Sequence, residues 1–147
     1  MMDIKFRAWD INEKRMLKVY RLSFDGPIEG TQVHCYLDDR GSKGSKEYSY
    51  DGDGLILEQY TGLKDANGKE IYEGDILATS SVICGSSVTD YITPEWREEY
   101  AGFFWGEKQF YACLGEWDNE IKYPQTFPEI IGNVHENPEL LEEQHER

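Results

Sequence analysis

The chain has 147 residues and a formal net charge of −14, from 15 Lys and Arg against 29 Asp and Glu. Aromatic residues make up 14% of it, which supplies enough large rings for a core and excludes disorder of the whole chain. So acidic a surface repels phosphate backbones and anionic lipid headgroups, which argues against direct binding to duplex DNA or to a membrane.

The charge is unevenly distributed along the chain. Residues 1–89 carry eleven bases and fifteen acids, a net charge of −4, whereas residues 90–147 carry four bases and fourteen acids, a net charge of −10. A basic protein partner, a cation or plain solubility fits this imbalance. The three cysteines lack Cys-x-x-Cys spacing, the N-terminal sequence is charged, and the apolar runs are short, so a cytoplasmic protein is expected.

The first predicted elements are strands. The sequence "IKFRAW" alternates with a period of two, and the connector "DINEKR" leads to the β-rich run "MLKVYRLSF". These runs predict an N-terminal hairpin or meander, followed by a short strand at "TQVHCYL". Residues 38–54 are rich in Gly and Ser and lack apolar periodicity, so a mobile surface excursion is expected there.

The second half of the chain is also expected to be mainly β. Ile76–Val82 predicts a strand, the sequence from Cys84 to Tyr100 predicts irregular structure with a helical turn after Pro94, and "AGFFWGEKQFYACL" predicts an aromatic hairpin. The sequence "FPEIIGNV" predicts a last strand. The tail "HENPELLEEQHER" predicts a short helix, which Asn137 can cap with Pro138 at its first position.

One central stretch, residues 60–77, is the most motif-like part of the chain. It reads "YTGLKDANGKEIYEGDIL". A Walker A loop needs four residues between its glycines and a hydroxyl after its lysine. Here five residues separate Gly62 from Gly68, and Glu70 follows Lys69, where a carboxylate would repel a nucleotide. The phosphate loop is therefore excluded, and neither a nucleotide nor another cofactor is predicted.

The same residues suit a pair of turns. Asp65 can accept a hydrogen bond from the backbone two residues on, Asn67 tolerates the bridge region, and Gly68 supplies the positive φ of a bulged hairpin. Gly74 then breaks the strand pattern, as a second turn or a β-bulge would. The stretch is predicted to shape the chain rather than to hold a ligand.

No metal site is predicted. The sequence "DGDG" at 51–54 begins like a calcium loop, but apolar residues or glycine stand at its later ligand positions. His34 and Cys35 are adjacent, so a strand would place them on opposite faces and would not let them share a zinc ion easily. Cys84, Cys113 and His135 are isolated in the sequence, and packing of the cysteines among apolar groups is the simpler interpretation.

No catalytic residue is predicted either. The chain has no Gly-x-Ser-x-Gly elbow, and a Cys–His pair using His34 or His135 is only formally possible. Glu95, Glu98 and Glu99 can serve acid–base or metal chemistry, although a solvated acidic face is the simpler interpretation. The aromatic hairpin between Tyr100 and Tyr111 can stack bases, but without basic neighbours its rings are better suited to a core or an oligomer interface.

Three segments together resemble the YopX family of phage and prophage proteins. They are "KFRAWD", the central "YTGLKDANGKEIYEGDIL" and "EIIGNVHENPELL", and they bracket residues 5–141. The resemblance implies a mainly β fold with a small SH3-like barrel around the central motif, closely associated terminal segments and no transferable catalytic residue. The matching residues are Gly62, Asp65, Gly68, Gly74, Asp75, Gly132, Asn133 and Pro138.

The expected organisation is a single YopX-like domain spanning residues 1–147. It would consist of an N-terminal β meander at 1–58, an SH3-like barrel at 59–134 and a terminal helix at 135–147.

The leading functional hypothesis is a phage accessory protein that binds another protein, which can be a host protein, or itself. The first alternative is a nucleic-acid role, as an acidic DNA mimic or as a single-strand-binding β-barrel. The second alternative is a divalent-metal-dependent enzyme, although no motif supports catalysis.

Overall fold

The computed structural model describes residues 3–25, 30–36, 46–50, 52, 54–83, 85–105, 108–110 and 126–145. The chain divides into two compact units, Met1–Tyr60 and Thr61–Arg147. Antiparallel strands dominate both units, which confirms the prediction of a mainly β protein. The predicted cysteines at 84 and 113, the aspartates at 51 and 53, and Tyr111 lie outside the described residues.

The described part of the first unit is a meander of antiparallel strands. They are β1 (Phe6–Asp10), β2 (Arg15–Ser23), β3 (Gln32–Tyr36), β4 (Lys46–Tyr50) and β5 (Leu55–Lys64), which continues into the second unit. Each of the first three pairs with its successor, and β5 pairs with β1, so the order is β4-β3-β2-β1-β5. The predicted N-terminal meander is confirmed.

One face of this sheet supplies the core of the first unit. Burial alternates along β3, where Val33 and Cys35 are buried between half-buried neighbours, because successive side chains of a strand point to opposite faces. Val19, Leu22 and Leu57 pack partly buried around that core. Its buried members come from β1, β2, β3 and β5 and are Ala8, Leu17, Val33, Cys35 and Leu55.

A carboxylate organises the turn between β1 and β2. The Asp10 side chain accepts hydrogen bonds from the backbone N–H groups of Asn12 (3.0 Å) and Glu13 (3.1 Å). On the same sheet the Arg7 Nε donates to Glu58 Oε1 at 2.9 Å, with the side chains only 16% and 6% exposed. Removing one partner would leave the other charge buried and uncompensated.

Strand β4 corrects one expectation from the sequence. Residues 38–54 suggested a surface excursion, yet Lys46–Tyr50 pairs in register with β3, from Gln32↔Tyr50 to Tyr36↔Lys46. Tyr48 and Tyr50 are good strand formers, and the neighbouring strand supplies the hydrogen-bond partners that the local sequence pattern does not reveal.

The second unit begins within β5 and contains two three-stranded sheets. The end of β5 pairs with β6 (Glu70–Tyr72), and one sheet has the order β12-β7-β8 while the other has the order β11-β10-β9. The remaining strands are β7 (Asp75–Ile83), β8 (Ser86–Ile92), β9 (Glu95–Arg97), β10 (Gly102–Trp105), β11 (Lys108–Gln109) and β12 (Thr126–Asn133). A 3₁₀ turn (Glu98–Tyr100) and a C-terminal helix (Glu139–His145) complete the described elements.

The core of the second unit draws on all of these sheets. Leu63, Phe103, Trp105 and Ile130 pack partly buried around it. Its buried members are Ile71, Leu77, Ile92 and Phe110.

The described sheets are open, which differs from the expected SH3-like barrel. No closed barrel is present among the described strands. The chain reverses at the tight turn around Gly74, and β7 then joins β8 and β12 instead of extending the β5–β6 ladder. The backbone hydrogen bonds are thereby divided between separate sheets. A closed barrel would need the first and last strands of one sheet to pair, and the described strands do not do so.

Strand β8 is a further correction, because the sequence from Cys84 onward suggested irregular structure. Ser86–Ile92 instead pairs with β7 over seven consecutive residues, from Ile83↔Ser86 to Leu77↔Ile92. The predicted hairpin is confirmed where it is described, with Phe104 opposite Gln109. The predicted last strand and the short C-terminal helix are also confirmed.

Candidate protein-interaction surface

The Asp65 carboxylate holds the central turn to β12. Its Oδ1 accepts the backbone N–H groups of Asn67 and Lys69, both at 2.9 Å, and its Oδ2 accepts the N–H of Ile130 at 3.0 Å. The Asn67 side chain reaches the same strand and donates to Glu129 Oε1 at 3.1 Å. The turn is thus tied to a strand some sixty residues further along the chain.

These contacts also set the charge state of Asp65. Burial raises the pKa of this carboxyl, but the three backbone N–H groups that bond it, together with the charge of Lys69, lower the pKa by more than burial raises it. The pKa of Asp65 therefore lies below its ordinary value. The carboxylate is ionised at neutral pH, which is the form that accepts all three hydrogen bonds.

The backbone of the turn uses its own amides. Gly68 adopts a φ of +82° and donates its N–H to the Asp65 carbonyl at 3.0 Å, while Gly62 adopts a φ of +87° within β5. The N–H groups of Asn67 and Lys69 are bonded to the Asp65 side chain. An anion would have to displace the Asp65 carboxylate to reach these amides, so the geometry is that of a structural turn.

A second carboxylate organises the next turn. Asp75 Oδ2 accepts the Tyr72 N–H at 2.8 Å, and Gly74 between them adopts a φ of +82°. The Gly74 carbonyl then accepts the Val134 N–H at 2.8 Å, immediately after the end of β12. Both turns of the central motif are therefore bonded to the same C-terminal segment.

The segment after β12 turns into the C-terminal helix through two asparagines. Asn133 Oδ1 accepts the N–H groups of His135 (3.0 Å) and Glu136 (2.9 Å), and the Asn137 amide oxygen accepts the Asn133 N–H at 3.3 Å. A Cβ on Gly132 would lie only 2.7 Å from Asn137 Cγ. Pro138 contributes its carbonyl to the first helical turn. Of the predicted site residues, Asp65, Asn67 and Gly74 are thus bonded to β12 or to the residue that follows it. Asn133, Asn137 and Pro138 are bonded within the segment that leads into the helix, whereas Gly62 lies within β5.

A different part of the second unit presents exposed groups. Thr93 and Pro94 are buried and anchor the start of β9, which forms one edge of its described sheet. The 3₁₀ turn that follows closes through Ala101, whose N–H donates to the Glu98 carbonyl at 3.2 Å with a φ of +48°. We call the exposed residues here the acidic aromatic edge; they are Glu95, Trp96, Glu98, Glu99 and Tyr100.

Two aromatic rings project from the acidic aromatic edge. Trp96 is 45% exposed, and its ring meets Phe103 edge to face with centroids 5.2 Å apart. Tyr100 is 63% exposed and lies against Phe104 at 5.0 Å. Because Phe103 packs on the core and Phe104 is buried, each exposed ring stands on a fixed support. Rings held in this way lose little conformational entropy when a partner covers them.

The charge around these rings is negative. Arg97 is occupied within the edge: its Nε and Nη2 donate to Glu99 Oε1 at 3.0 and 2.8 Å, and its guanidinium lies 5.6 Å above the Tyr100 ring. A backbone hydrogen bond and then Arg97 lower the pKa of Glu99. Glu95 and Glu98 are exposed as well, so the exposed charged neighbours of the two rings in the chain are carboxylates. Phe103 and Phe104 are successive residues of β10, so Trp96 and Tyr100 lie on opposite faces of this strand pair, one on each side of its edge.

This surface is only partly predictable from the sequence. The carboxylates at 95, 98 and 99 and the aromatic hairpin are apparent there, whereas the role of Trp96 is not. The signal was present in "EWREEY", where a large ring between charged residues has no apolar neighbour in the chain. Exposure of the ring depends on the pairing of β9 with β10, which the local pattern does not determine.

The described residues present neither a metal-binding cluster nor a membrane-spanning helix. Across the ranges that the structure describes, no group of three or more His, Cys, Asp or Glu side chains is placed to hold a metal ion. Within those same ranges, no helix has the length and apolar character needed to cross a bilayer. His34 and Cys35 lie on opposite faces of β3, with Cys35 in the core and His34 against the Tyr20 ring.

The chain is similar to a known protein family and to a solved structure. A family model described as YopX protein matches residues 5–142. The crystal structure of protein EF1440 from Enterococcus faecalis is similar, with 32% sequence identity, a TM-score of 0.60 and coverage of 96% of this chain and 99% of that chain. No curated protein matches. Since the family match spans nearly the whole chain and the three motif segments, the protein belongs to the YopX family.

Proposed function

We propose that this protein is a phage- or prophage-encoded accessory protein that acts in the bacterial cytoplasm by binding a protein partner through the acidic aromatic edge. The partner presents a basic segment. The observation that carries the proposal is the exposure of Trp96 and Tyr100 on a strand edge where Glu95, Glu98 and Glu99 are exposed and the one cation, Arg97, is half-buried and paired with Glu99.

The chemistry of the edge supports a basic protein as the partner. Trp and Tyr are enriched among the residues that dominate binding energy at protein interfaces. Their ring faces attract Arg and Lys, and neighbouring carboxylates accept hydrogen bonds from the same groups. The net charge of −10 over residues 90–147 would also steer a basic partner toward this unit.

The proposed origin rests on family membership. The chain belongs to the YopX family, and the resemblance of its three motif segments implies an origin in phages or prophages. Binding is favoured over catalysis because the motif residues are used as hydrogen-bonding partners within the fold. Asp65 and Asp75 in particular already bond backbone N–H groups, so neither carboxylate is poised to transfer a proton.

The test compares capture by the wild-type protein with capture by Trp96→Ala and Tyr100→Ala. Each protein is immobilised and exposed to bacterial lysate at 50 and 300 mM salt, and bound proteins are identified, purified and titrated back. We expect a basic protein whose dissociation constant rises about thirtyfold with Trp96→Ala, in line with a central aromatic contact. Higher salt should weaken the binding, because the attraction is screened.

Ile131→Ala is the matched control, since Ile131 is a 40% exposed apolar residue of the same unit. It should bind the purified partner like the wild type. Unchanged affinity of Trp96→Ala and Tyr100→Ala, or a partner without basic character, would rule the proposal out. The mass of the protein in solution, measured alongside, shows whether the partner is a second copy of the chain.

A further inference from the structure

A β-bulge gathers basic and aromatic side chains on one face of the first unit. The register of β2 and β3 runs from Val19↔Cys35 to Arg21↔His34, with one extra residue, Tyr20, on β2. Cys35 lies in the core, so His34 and Arg21 lie on the opposite face. Val19 packs on the core, so Tyr20 points away from it by simple alternation, and the bulge turns Arg21 to the same side while Leu22 packs on the core again.

The rings of this face contact one another. Tyr20 and Tyr36 have centroids 4.6 Å apart at a tilt of 38°, and Tyr20 meets His34 at 5.9 Å in an edge arrangement. The His34 Nε2 is hydrogen-bonded to Gln32 Oε1 at 3.1 Å, which fixes the imidazole plane. Tyr50 lies opposite Gln32 on β4 and so extends the same face. The result is a row of half-exposed rings across neighbouring strands.

Exposed cations flank these rings. Lys18 and Arg21 are exposed on β2, and Lys18 lies opposite Arg7 on the face away from the core. Asp25 accepts a hydrogen bond from the Ser23 hydroxyl, and this bond and then the charge of Arg21 lower the pKa of the Asp25 carboxyl. We call this set the basic aromatic face; its members are Lys18, Tyr20, Arg21, His34 and Tyr36.

The two units differ greatly in charge. Residues 1–60 carry nine bases and eleven acids, a net charge of −2, whereas residues 61–147 carry six bases and eighteen acids, a net charge of −12. The first unit is therefore nearly balanced overall and locally positive on one face. An anionic ligand would meet far less repulsion there than anywhere on the second unit.

We propose that the basic aromatic face binds single-stranded nucleic acid, with bases stacked on Tyr20 and Tyr36 and with phosphates against Lys18 and Arg21. This goes beyond the protein-binding role, because it uses a different surface in a different unit. Single strands expose base faces that can stack on rings, whereas a duplex buries them. An acidic peptide would use the cations but would leave the rings without a matching group.

The test is a fluorescence anisotropy titration of the full chain against labelled 15-nucleotide oligo-dT and oligo-rU at 20, 50 and 150 mM NaCl. We expect binding that weakens with salt. Tyr20→Leu and Tyr36→Leu should each weaken it roughly 5- to 100-fold, the range for loss of one stacked base. Arg21→Gln should lower the salt slope by about 0.7, as expected for one phosphate contact on a single strand.

The controls separate this inference from other causes. Lys64→Gln removes an exposed cation of the second unit and should bind oligonucleotides like the wild type. Arg21→Gln keeps the test valid if the tyrosine variants fail to fold, because Arg21 is exposed. Trp96→Ala should leave oligonucleotide binding unchanged, so that failure of either proposal is recognisable on its own. No binding at 20 mM NaCl, equal binding by the Arg21 variant, or full competition by a glutamate-rich 15-residue peptide would overturn the proposal.

Discussion

Asp65 is the residue on which the central turn depends most. Replacement by Asn keeps the shape but removes the charge and sets an NH₂ group against backbone donors. We expect Asp65→Asn to lower the free energy of unfolding by about 2–3 kcal/mol at pH 7, since hydrogen bonds to a charged group are lost within a buried site. Chemical denaturation followed by circular dichroism measures this change.

The dependence of this effect on pH follows from the lowered pKa. A carboxyl whose folded pKa lies below its unfolded pKa stabilises the fold fully above the unfolded value, and this contribution is lost as the pH falls through the folded value. The stability gap between wild type and Asp65→Asn should therefore narrow as the pH falls from about 5. Asp90→Asn, an exposed position, should stay within about 0.5 kcal/mol of wild type. A gap that is constant with pH would contradict the role assigned to the ionised carboxylate.

The connection between β12 and the C-terminal helix depends on close packing of two residues. Because a Cβ at Gly132 would overlap the Asn137 side chain, Gly132→Ala should lower the free energy of unfolding by about 1–3 kcal/mol, as overpacking does. In an Asn137→Ala background the same substitution should lower the free energy of unfolding by much less. A double-mutant cycle from thermal or chemical denaturation gives the coupling, and additive effects would show that the two residues do not interact.

Secondary-structure elements were predictable from the sequence where the local residue pattern alone specifies a strand, a turn or a helix start. The alternation in "IKFRAW", the motif at 60–77 and the "NPELL" helix start led to β1, the turns and the terminal helix. Strands β4 and β8 were not predicted because their sequences lack apolar periodicity. Pairing with β3 and β7 stabilises them instead. The exposed Trp96 depends likewise on the pairing of β9 with β10, so the candidate surface required the structure.

The charge of the whole molecule makes its stability sensitive to salt. With a net charge of −14, self-repulsion opposes the compact state. Raising NaCl from 0.01 to 0.15 M shortens the Debye length from about 30 to about 8 Å. We expect the melting temperature to rise by several degrees over this range, as measured by differential scanning fluorimetry.

Choline chloride separates screening from specific cation binding. Equal rises in the melting temperature with choline chloride and with NaCl would identify screening as the cause. A large further rise with millimolar Mg²⁺, Mn²⁺ or Zn²⁺ at constant ionic strength would instead show a divalent cation site and would revive the metal-dependent alternative. No change with either monovalent salt would contradict the self-repulsion argument.

The Asp65–Ile130 bond spans sixty-five positions, and this separation has a consequence during synthesis. While the ribosome is still adding the later residues, Asp65 has only its local N–H partners. The turn that Asp65 closes cannot yet bond to β12. The second unit therefore cannot reach its final form until residue 130 has left the exit tunnel. Nascent chains halted before that point should remain open and accessible to proteases, which makes the last strand the step that completes folding.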